Sequence, residues 1–356
     1  MEGMVIDSSF WLGRRVFLTG HTGFKGAWTS LLLHRLGAVV TGYALDPAPN
    51  DLFSIADVGT ALRRHQIADV RDLSGLRKAI DEAQPEVVVH MAAQSLVRAS
   101  YEDPVGTYAT NVMGTVHVLE AVRNSPCVKA TVIVTTDKCY ENVGWVWGYR
   151  ENDRLGGFDP YSNSKACAEL ATQAYRSSFQ SDLRGGIASV RAGNVIGGGD
   201  WARDRIVPDA MRAFGTKEAL HLRNPNAVRP WQHVLDPIAG YLRLAEHLYR
   251  DGAKYAEGWN FGPADTSEVS VSELVACLAS HWGADARWVV DQGEHVHEAA
   301  YLTLDCTKAA RRLRWRSRID LDTALRLTVD WYRAFYSGGD VRATTLGQID
   351  EFLAAA

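Results

Sequence analysis

The sequence predicts an α/β fold, a doubly wound parallel sheet with a smaller mixed α/β C-terminal lobe. Three observations lead there. Short β-branched runs alternate with helix-like stretches through the first half. Three glycines, Gly20, Gly23 and Gly26, stand between the first apolar run and the first helical stretch. Past residue 191 the alternation loosens into chain rich in Gly, Pro, Trp and Arg.

Taken in order, residues 15–19 read as an apolar strand and 25–36 as a helix. Strands follow at 39–44 and 66–68, the latter ending at Asp69. A helix over 73–82 leads to EVVVHM, a β-branched strand at 86–91. Residues 104–122 read as one long helix, ATVIVT (130–135) as a strand, 161–177 as a helix and 186–191 as a strand. Later helices fall near 207–214, 238–249, 271–281 and 321–336, with a short strand at 259–261 placed to return to the sheet. The expected layout is a cofactor lobe over residues 1–191 and a second lobe over 192–356, with segments of the second rejoining the first.

Bulk properties narrow the function. A formal charge of −4 over 356 residues gives no footprint for nucleic acid. The one basic run, RRLRWR from Arg311, reads as a solvated helix face. No stretch of ~18 apolar residues is present, so no membrane span is expected. MEGMVIDSSFWLGRR carries early acids and does not read as a signal peptide. The five cysteines are scattered, with no CxxC pair. That argues against a metal site or a disulfide framework and for a reducing cytoplasm.

The glycines follow a strand and open a helix, the context of a phosphate-binding turn. Gly20 permits the tight turn, Gly23 lets a pyrophosphate approach the backbone, and Gly26 lets the helix pack on the strand. Free N–H groups and the positive dipole end of the helix face the phosphates. The GxxGxxG spacing makes the first lobe Rossmann-like and the cofactor a dinucleotide, with Thr22, Phe24 and Lys25 lining the turn. An acid ending the second strand would hold the adenosine ribose and favour NAD. Asp46 is the candidate, about 20 residues beyond Gly26. Asp69 and Val70 are placed to meet the adenine, although Asp69 can equally cap the helix that follows.

Tyr161 and Lys165 form a YxxxK pair on one helix face, with Asp159 as cap and Pro160 in the first turn. A lysine ammonium beside the phenol would favour phenolate and make Tyr161 a base for a sugar hydroxyl. The strand ATVIVT runs into Thr135-Thr136-Asp137-Lys138, at the sheet edge where open α/β folds bind ligands. Thr136 can hydrogen-bond the reacting oxygen. Asp137 exceeds what a carbonyl reducer needs, and protonated by burial it could deliver a proton to a leaving hydroxyl. Lys138 can steer an anion, or act as a base when neutral.

On HTGFKGAW, TTDKCYENVGWVWGYREND, DPYSNSKACAE, RAGNVIGGGDWARDRIVPD and RNPNAVRPWQHVLDP, the chain resembles the extended short-chain dehydrogenases/reductases, and among them the CDP-glucose 4,6-dehydratases. The resemblance covers nearly the whole length. It implies tightly held NAD and CDP-glucose as substrate. It also implies a homodimer through helices 104–122 and 161–177, and a 4-keto-6-deoxy product used for deoxysugars of surface polysaccharides. Tyr161 would be the base at the C4 hydroxyl and Asp137 the acid at the C6 hydroxyl. Lys138 stands where dTDP-type relatives carry an acid, so the C5 base stays open among Lys138, Glu141 and Tyr161. By local match, Ala92, Ala93, Gln94, Asn111 and Thr135 would line the cofactor, and Asn194, Arg229 and Trp201 the nucleotide sugar. A 4-epimerase or another sugar-nucleotide dehydratase of this fold is the alternative. A silent NAD-binding regulator is a more distant one.

Overall fold

The computed structural model describes residues 6–179, 183–263, 268–291 and 302–355. Twelve strands are present among them. β1 (Arg15–Thr19), β2 (Val39–Ala44), β3 (Arg64–Ile67), β4 (Val87–His90), β5 (Ala130–Val134) and β6 (Gly186–Ala192) come first. β7 (Asn194–Ile196), β8 (Ala219–Leu222), β9 (Val228–His233), β10 (Gly258–Phe261), β11 (Glu268–Ser270) and β12 (Arg287–Val290) follow.

Seven strands make one parallel sheet in the order β3-β2-β1-β4-β5-β6-β10. The chain leaves β1 first toward β2 and β3, then returns to add β4 on the other side. The switch between β1 and β4 opens a crevice at the C-terminal strand ends, where such sheets bind ligands. Strands β4 and β5 are buried throughout, as expected for strands covered on both faces. β10 pairs with β6 although it comes from the second half of the chain. The smaller sheets are β7-β9-β11 and β8-β12.

The large indoles mark where the halves meet. Trp28, fully buried on the helix Phe24–Arg35, donates to the Gly198 carbonyl at 3.0 Å. Gly198 has no room for a side chain, because a Cβ there would sit 1.9 Å from the Trp331 ring. Trp331 lies on Leu321–Tyr336 and bonds Thr345 of the last helix at 2.8 Å.

Two expected elements differ. The third strand covers 64–67, not 66–68, because its register pairs Arg64 with Thr41 and Ile67 with Ala44. The long helix over 104–122 is Pro104–Tyr108, a π-helical turn Ala109–Met113, then Gly114–Arg123. Such turns are rare and concentrate at functional sites. No helix among the described residues is long and apolar enough to cross a membrane.

Candidate active site

The turn after β1 is fixed by steric demand. Gly20 has φ +73°, and a Cβ on it would lie 2.6 Å from the Ala92 nitrogen. A Cβ on Gly26 would lie 2.0 Å from the Gly20 carbonyl oxygen, so helix and turn touch backbone to backbone. Gly23 is the helix N-cap residue and its Cβ would meet only ordinary contacts. This is a cradle with bare N–H groups at its floor, which suits a pyrophosphate. Thr22 donates to the Leu45 carbonyl at 3.0 Å, and Phe24 packs beside Gly197. Lys25 faces Arg205, Asp137, Lys165 and Asp200, and burial pushes its ammonium down to about 8.

The adenosine end is more open. Asp46 is exposed, just beyond the end of β2 at Ala44. Asp69 is clasped by its neighbour Arg71 at 2.6 Å, which holds its carboxyl below the usual range. It does not cap the following helix; Asp72 does, accepting from Gly75 N. Val70 is buried against Gly114, and its carbonyl meets His117 at 3.0 Å.

Past β4, Ala92, Ala93 and Gln94 are half-buried. Asn111, in the π-turn, accepts from Gln94 N at 2.9 Å and donates to Ser164 Oγ at 2.8 Å. The wide turn thus ties the loop after β4 to the helix Pro160–Ser178. Asp159 caps that helix through Ser162 N, with Pro160 in the first turn.

Tyr161 and Lys165 are both buried on this helix. The Lys165 ammonium donates to the Val134 carbonyl at 3.2 Å. Burial pushes it down to about 8, against the pull of Glu169 and Cys139. Burial also pushes the Tyr161 phenol up to about 12, opposed by the Thr136 hydroxyl and by Arg205. Without a cofactor in place, burial outweighs the cationic neighbours of the phenol. One of the three ammonium N–H groups is used by the Val134 carbonyl, and the charge remains beside the site.

Thr136, within hydrogen-bonding reach of Tyr161, donates to Asp137 Oδ1 at 2.9 Å. One hydroxyl proton serves one partner at a time, so Thr136 links phenol and carboxylate as a chain. Asp137 is 2 % exposed, and Gly193 leaves it space: a Cβ there would be 3.1 Å from Oδ2. Lys138 Nζ stands 3.5 Å from Asp137 Oδ1 and is partly exposed. Glu141 is on the surface, paired with Arg154 at 3.1 Å. Thr135 turns its hydroxyl to Glu169 at 2.5 Å and to the Val190 carbonyl at 3.1 Å, which commits it to the scaffold.

On the second lobe, Asn194 opens β7 and pairs in register with Trp231 of β9. Arg229 lies two residues earlier, so it and Asn194 share a sheet face. Trp201 packs with Tyr332, Phe335 and Trp331, its ring centroid 4.8 Å from that of Phe335.

Sequence reasoning missed Arg205, Tyr241 and Glu169. Arg205 spans the crevice, bonding Asp200 at 3.0 Å and Ser95 Oγ at 3.2 Å. Tyr241 is fully buried, and its phenol is raised by burial and by the nearby Asp137 and Tyr161. Only Glu169 left a signal, at helical spacing four beyond Lys165.

A sequence model described as GDP-mannose 4,6-dehydratase matches residues 17–328. The chain is 52% identical over 357 residues to the CDP-glucose 4,6-dehydratase of Salmonella typhimurium, covering 99% of each. It is 31% identical to the dTDP-glucose 4,6-dehydratase of Streptomyces griseus, over 89% of this chain and 93% of the relative. Among solved structures, a Bacillus anthracis dTDP-glucose 4,6-dehydratase in complex with NAD superposes with TM-score 0.75 at 23% identity, covering 90% of this chain and 97% of that one. Its match shows the shared fold. Motifs, geometry and relatives agree: the chain belongs to the GDP-mannose 4,6-dehydratase family, inside the extended short-chain dehydrogenase/reductase group.

Proposed function

We infer that this chain is an NAD-dependent lyase converting CDP-D-glucose to CDP-4-dehydro-6-deoxy-D-glucose and water. The observation that carries the reading is the buried Asp137 linked through Thr136 to Tyr161, in a chain 52% identical to a CDP-glucose 4,6-dehydratase. A 4-epimerase needs the phenol and the hydroxyl and has no use for the acid.

The turn fits the cofactor, since Gly20 and Gly26 keep side chains out of the space beside its N–H groups. Gly20, Thr22, Gly23, Phe24, Lys25 and Gly26 would hold the pyrophosphate, Asp46, Asp69 and Val70 the adenosine, and Ala92, Ala93, Gln94 and Asn111 the nicotinamide side. NAD held there would supply a reversible hydride acceptor, for the C4 hydride that is given back at C6.

Tyr161 takes the C4 hydroxyl proton, with Arg205 opposing the burial cost of the phenolate. Thr136 orients the same oxygen. The 4-ketone acidifies C5–H. Removal of that proton expels the C6 hydroxyl, which leaves as water with a proton passed through Asp137. C5 then regains a proton, so the net change is the loss of one water. Lys138, Tyr161 and Glu141, the last paired with Arg154 at the surface, stay the candidates for the C5 proton.

Asn194 and Arg229, on one face of the β7-β9 pair, suit a diphosphate, the arginine by its forked donors. Residues 1–191 would hold the cofactor and 192–356 mainly the nucleotide sugar, in a cytoplasmic enzyme. A homodimer is supported by exposed Tyr101, Val105, Met113 and Leu170 on the helices between residues 97 and 178. Light scattering that finds only monomer at micromolar concentration removes it.

The deciding experiment offers CDP-, dTDP- and UDP-glucose side by side and identifies the products. A 4-keto-6-deoxy product from the CDP sugar without net NADH is expected. A galactose epimer overturns the reading.

A further inference from the structure

Glu169 lies one helical turn beyond Lys165 and two beyond Tyr161, and is 1 % exposed. It touches neither the glycine turn nor the Thr136–Asp137 pair directly. Its carboxylate instead gathers three donors from two neighbouring strands. Oε1 accepts from Thr135 Oγ1 at 2.5 Å, just past β5, and Oε2 accepts from Ser189 Oγ at 2.6 Å and Arg191 Nη2 at 2.8 Å, both on β6. Arg191 continues the network to the Tyr140 hydroxyl at 2.6 Å, and Tyr140 donates to Asn260 of β10 at 2.7 Å.

Thr135 immediately precedes Thr136-Asp137, and the Lys165 ammonium bonds the carbonyl of Val134, one residue earlier. One carboxylate therefore joins the helix bearing the base to the strand end bearing the acid. Four residues along the same helix, it also sets a negative charge one turn from the buried Lys165.

Resting on the dehydratase reading above, we propose that Glu169 is a positioning residue of the reaction, which clamps β5 to the Tyr161–Lys165 helix and places its charge one helical turn from the Lys165 ammonium.

Charges on every side bear on this. Glu169 favours the Lys165 ammonium, the Cys139 thiol is kept neutral by burial, and Lys25 and His90 lie close enough to feel the charge of Lys165. Burial holds His90 neutral at about 3. Around Glu169 stand Arg191 and Arg176, besides Lys165 itself. Burial works against the charge of the carboxylate, but Arg191 with the Ser189 and Thr135 hydroxyls hold it down to about 2. Glu169 is held as an anion, and of the two lysines depressed to about 8, Lys25 and Lys165, it is Lys165 that Glu169 acts on.

The test is the pH profile of kcat/KM with CDP-glucose. In Glu169→Gln the ammonium loses its anion, and the basic limb should move down by about one pH unit. Glu169→Asp should restore the limb with kcat still reduced. Thr135→Val cuts the tie to β5 and leaves the charge, so kcat should fall with KM and the limb unchanged. Should Glu169→Gln fold poorly with Arg191 unpaired, Glu169→Gln/Arg191→Met removes both charges and should show the same downward limb. A limb at the parent position in either glutamine variant overturns the electrostatic role. Parent-like kcat in Thr135→Val overturns the clamp. Failure of the parent enzyme to form the 4-keto product would instead strike the dehydratase reading itself, so the two failures separate.

Discussion

Two loops on the same sheet edge are built on opposite principles. The turn after β1 is made of absences: at Gly20 and Gly26 an added carbon would strike backbone atoms at 2.6 and 2.0 Å. The loop after β5 is made of side chains: Thr136, Asp137 and Lys138 lie within one bonded chain leading to Tyr161. The first loop does its work by shape, and backbone donors need no tuning. The second depends on proton positions, so burial and neighbouring charge decide what it can do.

The contrast can be broken most forcefully at the acid. Asp137→Asn should leave C4 oxidation intact and stop elimination, with kcat falling about 10²–10⁴-fold and NADH absorbance accumulating on the enzyme. Tyr161→Phe should lose both steps and accumulate no NADH. Wild-type turnover by either variant removes its role.

The shape-built loop makes a graded prediction. Gly26→Ala must displace the Gly20 carbonyl, at about 3 kcal/mol of stability, visible in denaturant titration. Gly23→Ala meets only a 3.5 Å contact, and should cost less than about 1 kcal/mol. Its effect should fall on NAD affinity instead, because the new carbon occupies the approach of the pyrophosphate. Equal stability losses at the two glycines would mean the cradle is not read correctly.

The smallest effect is in the wild-type profile. Lys165 is depressed from 10.5 to about 8, so it is charged below that pH and neutral above it. kcat/KM should therefore hold up to about pH 8 and decline beyond it, as the charges of Lys165 and of Lys25, depressed to the same value, are lost. A plateau persisting to pH 10 would show that the ammonium charge is immaterial.

Patterns carried by neighbours in sequence were legible from the start. Strand and helix periodicity, the Gly20-Gly23-Gly26 turn, the Asp159–Pro160 start of the helix and the Tyr161–Lys165 spacing all express chemistry within a few residues. The π-turn at Ala109–Met113 was not legible, since its extra residue is accommodated by Asn111 reaching Gln94 and Ser164, far off in sequence. The cap was legible and was placed on the wrong residue: a helix starting at Leu73 has Asp72 at its N-cap, and Asp69, three residues earlier, is engaged by Arg71.

What folding alone settled is the protonation of the site. Whether Lys165 faces a phenol or a carbonyl, whether Tyr161 is desolvated, and whether Glu169 meets Arg191 depend on strands β5 and β6 and on Arg205, brought together by the sheet. Residue types name the possible acids and bases, but burial and charge at a distance choose their states, and both arise only when remote segments pack.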